Sequence, residues 1–213
     1  MNKIVLKITL GVAAAAFSLN ARAQKSYTDG VLNYAISAPM GSTETKVYFT
    51  ADSSAAVTNN GAYTAKIVSD NKSTYVAVLV DVPMVSMKKA AVLTAAEIAQ
   101  VNGEVPVFTF TPTTETKQIN GYNCKKVTAK ESKTGSNIDV WVTNDITTPV
   151  NSVTKPFAAA GGVPVQFKTV QQGQTVTVEL KSISAEKVAA GTFGIDPGYE
   201  KISFADLKAL GGQ

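Results

Sequence analysis

Thr175-Val176-Thr177-Val178-Glu179-Leu180-Lys181 alternates without a break. Val176, Val178 and Leu180 fall on one side of an extended chain, and Thr177, Glu179 and Lys181 on the other. A period of two is the mark of a strand with one dry face and one wet face. Ile138, Val140 and Val142 repeat the pattern with Asp139 and Thr143 opposite, as antiparallel sheets with one solvated face do. Working outward, ten segments read as strands: Gly30–Ser37, Thr45–Thr50, Tyr63–Ser69, Thr74–Asp81, Met84–Lys89, Val105–Thr111, Asn123–Glu131, Asn137–Asn144, Val163–Val170 and Thr175–Ser184. Turn signals separate them at Asn59-Asn60-Gly61, Asp70-Asn71-Lys72, Asn120-Gly121, Thr134-Gly135-Ser136 and Gln172-Gly173, which suit hairpins.

Two strands are apolar on both faces. Tyr75, Ala77 and Leu79 alternate with Val76, Val78 and Val80, and Phe108 and Phe110 with Val107 and Thr109. Both sides there need cover from helices, loops or a ligand. Helix signals are short. Thr94-x-x-Glu97 is a capping box, with Leu93 and Ile98 as its hydrophobic staple, opening a helix to about Val101 that ends at Asn102-Gly103. Ser203-x-x-Asp206 opens a second, with Phe204, Leu207 and Leu210 in one stripe and Gly211 at its C-cap. The connection from Thr147 to Pro164 is long and carries three Pro, the run Phe157-Ala158-Ala159-Ala160 and Gly161-Gly162. Such connections are often functional or mobile. Periodicity thus gives a mainly antiparallel β chain with two short helices.

Residues 1–23 carry an address. Lys3 and Lys7 precede an apolar run from Ile8 to Phe17, and Ala21-Arg22-Ala23 is a small-x-small cleavage site. This is the pattern of a secretory signal peptide. The run is shorter than the roughly 20 residues a membrane-spanning helix needs. Cleavage after Ala23 leaves 190 of the 213 residues, one domain over 24–213, with Gln24 first and no Cys there for lipidation. The expectation is an exported, soluble protein, periplasmic or associated with the outer envelope, with no transmembrane span after cleavage.

The remaining chain excludes several chemistries. Loss of Lys3, Lys7 and Arg22 takes the formal charge from +4 to +1, which gives no electrostatic case for nucleic acid. No Arg is left for bidentate recognition of phosphate or carboxylate. The absence of His removes Ser-His-Asp and Cys-His catalysis and imidazole metal sites. Cys124 stands alone, so no internal disulfide forms, and it reads as a buried, inert thiol. Asp139, Asp145, Asp196 and Glu200 have neither calcium-loop nor paired-carboxylate spacing. Met84 and Met87 fall on opposite faces of a strand and make no soft-metal pair. No nucleophile elbow or phosphate loop is present. No metal, cofactor or catalytic constellation is expected. Trp141 shares the less apolar face with Asp139 and Thr143, either beneath a helix or on a ligand surface.

Ile119-Asn120-Gly121-Tyr122-Asn123-Cys124-Lys125-Lys126-Val127-Thr128, then Ile138-Asp139-Val140-Trp141-Val142-Thr143-Asn144-Asp145-Ile146, then Ile195-Asp196-Pro197-Gly198-Tyr199-Glu200-Lys201-Ile202, resemble three motifs of an exported domain-of-unknown-function family of Bacteroidota. Those motifs are G-Y-x-C-K-K, V-W-x-T-x-D-I and an I-P-x-G-Y-K-K-I ending, here with Asp-Pro for Pro and Glu200 for Lys. Tyr63-Thr64-Ala65-Lys66-Ile67 fits loosely. The family is similar in organisation to periplasmic lipoprotein-carrier (LolA-like) proteins. The resemblance implies a strongly curved antiparallel sheet, open like half a barrel, with a few short helices covering its concave face. It also implies a bound acyl chain or other apolar ligand. The carriers' own signature residues are not matched, and no Arg remains to interact with a lid.

Three functions follow as expectations. In the first, the protein is non-enzymatic and binds a lipid or apolar small molecule on the concave sheet, lined by Tyr75, Leu79, Phe108, Phe110 and Trp141, with Phe157 on the mobile loop. In the second, the interior is filled and the protein works through an envelope protein partner. In the third, it is an enzyme without His, relying on a carboxylate, Tyr or Lys with a displaced pKa.

Overall fold

The computed structural model describes residues 24–39, 41–171 and 173–211. The expected signal peptide, residues 1–23, lies outside the described residues, as does Gln172 of the last expected turn.

In chain order the elements are β1 (Lys25–Ser26), β2 (Gly30–Ala38), β3 (Gly41–Phe49), β4 (Ser53–Asn59), β5 (Thr64–Asp70), β6 (Val76–Val82), β7 (Met87–Val92), α1 (Ala95–Glu104), β8 (Phe108–Ile119), β9 (Tyr122–Glu131), β10 (Asn137–Thr143), β11 (Ile146–Thr147), β12 (Val163–Gln171), β13 (Gln174–Ser184), β14 (Glu200–Lys201) and α2 (Phe204–Gly211). Twelve strands form one curved sheet in the order β14-β7-β6-β5-β4-β3-β2-β13-β12-β10-β9-β8. Neighbours pair antiparallel except β14, which runs parallel to β7. The ends, β14 and β8, do not meet, so no barrel closes. The fold is therefore the mainly antiparallel, curved sheet with a few short helices that was expected.

The alternating segments form β10 and β13 as read. Asn120 and Gly121 both take positive φ, 48° and 84°, the two-residue turn that joins β8 to β9. Three departures stand out. Ser53-Ser54-Ala55-Ala56-Val57-Thr58-Asn59 is a full strand that small side chains had concealed. Pro83–Val85 is a 3-10 turn that moves β7 three residues on from the expected Met84 start. The turn begins with Pro, whose fixed φ suits a first helical position and whose missing N–H does not suit a strand. The helix capped by Thr94 runs through Asn102-Gly103 to Glu104. The capping box is complete: Glu97 N–H donates to Thr94 Oγ1 at 3.3 Å, and Thr94 N–H donates to Glu97 Oε2 at 2.7 Å. Its staple, Leu93 and Ile98, is buried.

The sheet changes its buried face partway across. Register places Leu32, Val47 and Ala56 on one face and Val31, Tyr48 and Ala55 on the other. From β2 through β13, β12, β10 and β9, the first face is the core, with Leu32, Tyr34, Leu180, Val178, Phe167 and Val140. From β4 to β7 the second face is the core, where Ala55, Val68, Ala77, Leu79 and Ala90 lie under Phe193, Ile195 and Tyr199 of the C-terminal segment. The first face of β4–β6 is left half-covered. There Ala56, Val76, Val78 and Val80 are partly accessible and Ile67 is 42% exposed.

Candidate functional site: an apolar groove under the 148–162 strap

The segment between β11 and β12 crosses the core face as a strap. Asn151 fastens its first turn. Its Oδ1 accepts from the N–H groups of Val153 (3.0 Å) and Thr154 (3.1 Å), and its own N–H donates to Thr154 Oγ1 at 3.0 Å. Lys155 Nζ then donates to Ser73 Oγ at 2.7 Å and Asn102 Oδ1 at 3.0 Å, tying the strap to the β5–β6 turn and to α1. Its own Phe157 and Ala160 are buried against the core. The segment expected as a mobile loop is capped, tethered and packed in the structure.

Two apolar compartments lie along the groove it covers. The first, about 260 Å³, is walled by Tyr34, Ile36, Thr45, Phe108, Phe157 and Phe167, among others. Phe108 belongs to β8 and Tyr34 to β2, five strands away in the sheet, so curvature alone brings them together. Phe157 stacks on Phe108 at 5.6 Å between centroids and tilts against Phe167 at 4.4 Å. The second, about 230 Å³, lies on the half-covered face of β4–β6, with Ile67, Val76, Val101, Val105 and Val150 as its apolar wall and Lys155 at its rim. Ser152 borders both.

No charged side chain borders the first compartment. Its polar groups are hydroxyls. Thr45 Oγ1 shares a 2.7 Å hydrogen bond with Thr58 Oγ1, whereas Tyr34 Oη, on a residue only 1% exposed, is enclosed by protein and has no partner among the described residues. Burial, with Tyr122 adding to it, pushes the Tyr34 phenol well above the usual tyrosine range, so it is a neutral donor. Asn71 Oδ1, on a residue that borders the second compartment, is the other buried side-chain polar atom without a partner among the described residues. Among the described residues no set of three His, Cys, Asp or Glu is placed to hold a metal ion. No helix there is long and apolar enough to cross a membrane.

Of the expected liners, Phe108 and Phe157 border the first compartment. Phe110 packs on Phe108 at 6.1 Å. Tyr75 precedes β6 and is 37% exposed. Leu79 is buried on the opposite face, under the C-terminal segment, because alternation along β6 gives the groove Val76 in its place. Trp141 also lies outside the groove. It borders an open depression of about 560 Å³ of mixed lining, where Asp139, Gln166 and Lys168 alternate with Ile138, Phe167 and Val170, and Lys117 Nζ sits 4.1 Å above its ring. Tyr34, Ile36, Thr45, Phe167, Ile67 and Val101 were not foreseen as liners. They come from five separate strands and helices, and only the strap and the curvature gather them.

Cys124 is buried, as expected, and burial raises its thiol to about 11, with Asp145 contributing. Lys126 bridges Glu115 and Asp139, which makes Asp139 part of a surface ion pair.

No curated protein matches the chain. Two structures of PNGF-II, in the C2 and P21 space groups, are similar at 17% identity, with TM-scores of 0.47 and 0.49. They cover 85% and 86% of this chain, and the chain spans only about a third of their length (32% and 33%). Residues 28–199 match the family model described as a domain of unknown function (DUF4412), and the chain belongs to that family.

Proposed function

We propose that this is an exported, non-enzymatic envelope protein that holds a lipid or other apolar ligand in the groove under the strap. One observation carries the reading. The sheet leaves an apolar face only partly covered from β4 to β6, directly beside a walled cavity that no charged group borders. Ligand sites are concave and mostly apolar, with a few polar anchors. Filling the two compartments removes apolar surface from water at about 25 cal/mol per Å². The basic start, apolar run and small-x-small site of residues 1–23 support export. The curved sheet is also in keeping with a lipoprotein-carrier-like organisation, as the family motifs imply.

Native mass spectrometry on protein purified from its own envelope, with organic extraction of the released mass, tests this. A discrete added mass that extracts as a lipid supports it. A bare protein mass, with no uptake of added lipid, rejects it.

A second reading has one observation in its favour. Met84 and Val85, 89% and 68% exposed, project from the turn between β6 and β7. An exposed apolar tip suits contact with a protein partner. Capture of one stoichiometric envelope protein, lost in Met84→Ser/Val85→Ser, would favour that role.

A further inference from the structure

We infer that the second compartment takes an apolar chain that ends in a carboxylate, and that Lys155 is the cation which holds that end. This deepens the groove reading and rests on it. Three side chains that border the compartment meet at one point, where Lys155 Nζ donates to Ser73 Oγ at 2.7 Å and to Asn102 Oδ1 at 3.0 Å. Both acceptors are neutral. An ammonium has three N–H donors, so one is left over and the charge is unmatched. Among the described residues Lys155 forms no ion pair. Its side chain is exposed, so a ligand has access to it. Tethering the strap accounts for a donor at this place. It does not account for a full positive charge, since a neutral amide would bond the same two oxygens.

The chemistry of the ligand follows from the walls. Ile67, Val76, Val101, Val105 and Val150 give the compartment its apolar side, and Lys155 is the one cation that borders it among the described residues. Asp70 borders it as well, but its own turn takes up that carboxylate. It accepts from the N–H groups of Thr74 at 2.7 Å and Tyr75 at 3.2 Å, and from the Thr74 hydroxyl. A single unmatched cation beside an apolar wall complements a ligand with one negative charge and a hydrocarbon tail. A carboxylate carries one such charge. A phosphate monoester carries nearly two, and the chain has no arginine after residue 22 to share the second. An amine-headed chain would meet the like charge of Lys155. At about 30 Å³ for each water-sized group, the 230 Å³ compartment holds a chain of roughly eight such groups. Ser152 borders both compartments, so a longer tail has the uncharged first compartment to continue into.

The test uses displacement of an apolar fluorescent dye by octanoate, octylammonium and methyl octanoate at neutral pH, on the wild-type protein and on Lys155→Gln. The wild type is expected to bind octanoate roughly three- to tenfold more tightly than octylammonium, between the range of an exposed ion pair and that of a sheltered charge-assisted hydrogen bond. Added salt shrinks the difference. In Lys155→Gln octanoate loses its advantage, and methyl octanoate binds as before. Equal binding of octanoate and octylammonium by the wild type, or a preference for octylammonium, overturns the inference. An octanoate preference that survives in Lys155→Gln also overturns it. A parallel loss of octanoate and methyl octanoate in Lys155→Gln would mean that Lys155 acts only by holding the strap, and overturns it too. In each of these cases, binding of methyl octanoate by the wild type leaves the apolar groove standing. If neither the dye, the ester nor octanoate binds, the groove reading and this inference fall together.

Discussion

At the scale of single residues, Phe157 decides whether the groove has a roof. It is buried, and it sits between Phe108 and Phe167 at 5.6 and 4.4 Å. Aromatic pairs at such distances add to the burial term. Phe157→Ala removes the ring and leaves a void next to an existing cavity, so the surroundings have little to collapse onto. The expected loss of stability is about 3–5 kcal/mol, read from urea denaturation. A loss below about 1 kcal/mol would show that the strap does not hold the core. Phe157 and Phe108 were legible in the sequence as large apolar residues in segments that needed cover. Leu79 and Tyr75 were misplaced for a physical reason. Period-2 patterning states that two faces exist, and not which one the C-terminal segment will take. Tyr34 could not be found that way at all. Its unpaired oxygen is a property of the packed interior and has no trace in composition or spacing.

At the scale of elements, α1 is short and depends on its ends. Thr94 and Glu97 satisfy each other's backbone donors, and the staple Leu93–Ile98 fixes the angle of entry. Thr94→Ala should cost about 1 kcal/mol, measured as a shift in the denaturation midpoint. Because Asn102 at the far end of α1 receives Lys155, fraying of the helix should also loosen the strap. The capping box was fully legible, since it is a local code of four residues. Strand β4 was not. Ser and Ala have weak strand preference, and Ala55 is buried only because Phe193 and its neighbours arrive from more than a hundred residues away. The strap was visible as an unusual connection, and its anchoring was not. That anchoring comes from Asn151 capping its own turn and from Lys155 reaching across the fold.

At the scale of the whole molecule, the change of buried face between β3 and β4 is the organising feature. One half of the sheet is closed by the strap and the other by the C-terminal segment, and the seam between them remains accessible. The twelve-stranded sheet has no closing pair and stays open, and the antiparallel class was evident from the alternating segments. The packing also sets the response to pH. Burial raises the Cys124 thiol from 9.0 to about 11, and burial likewise raises the phenols of Tyr34, Tyr122 and Tyr199. The unfolded chain loses these protons first. Stability should therefore be intact below about pH 9 and fall as pH rises towards 11. Glu97, bonded to Thr94, and Glu179, bonded to Lys181, are held below their ordinary 4.5. Their contribution is present above 4.5 and is lost as pH falls below it. Urea midpoints across pH should show a plateau that declines at both ends. A flat alkaline limb would contradict the burial of these groups.

The central claim is that an apolar chain occupies the groove under the strap. Hydrogen exchange followed by mass spectrometry, with and without methyl octanoate, tests it most directly. With an apolar chain in the groove, exchange slows in the strap, residues 148–162, and in the segment from the end of α1 into β8, with no change around Trp141. No protection on addition of the ester, or protection confined to the Trp141 depression, would contradict it.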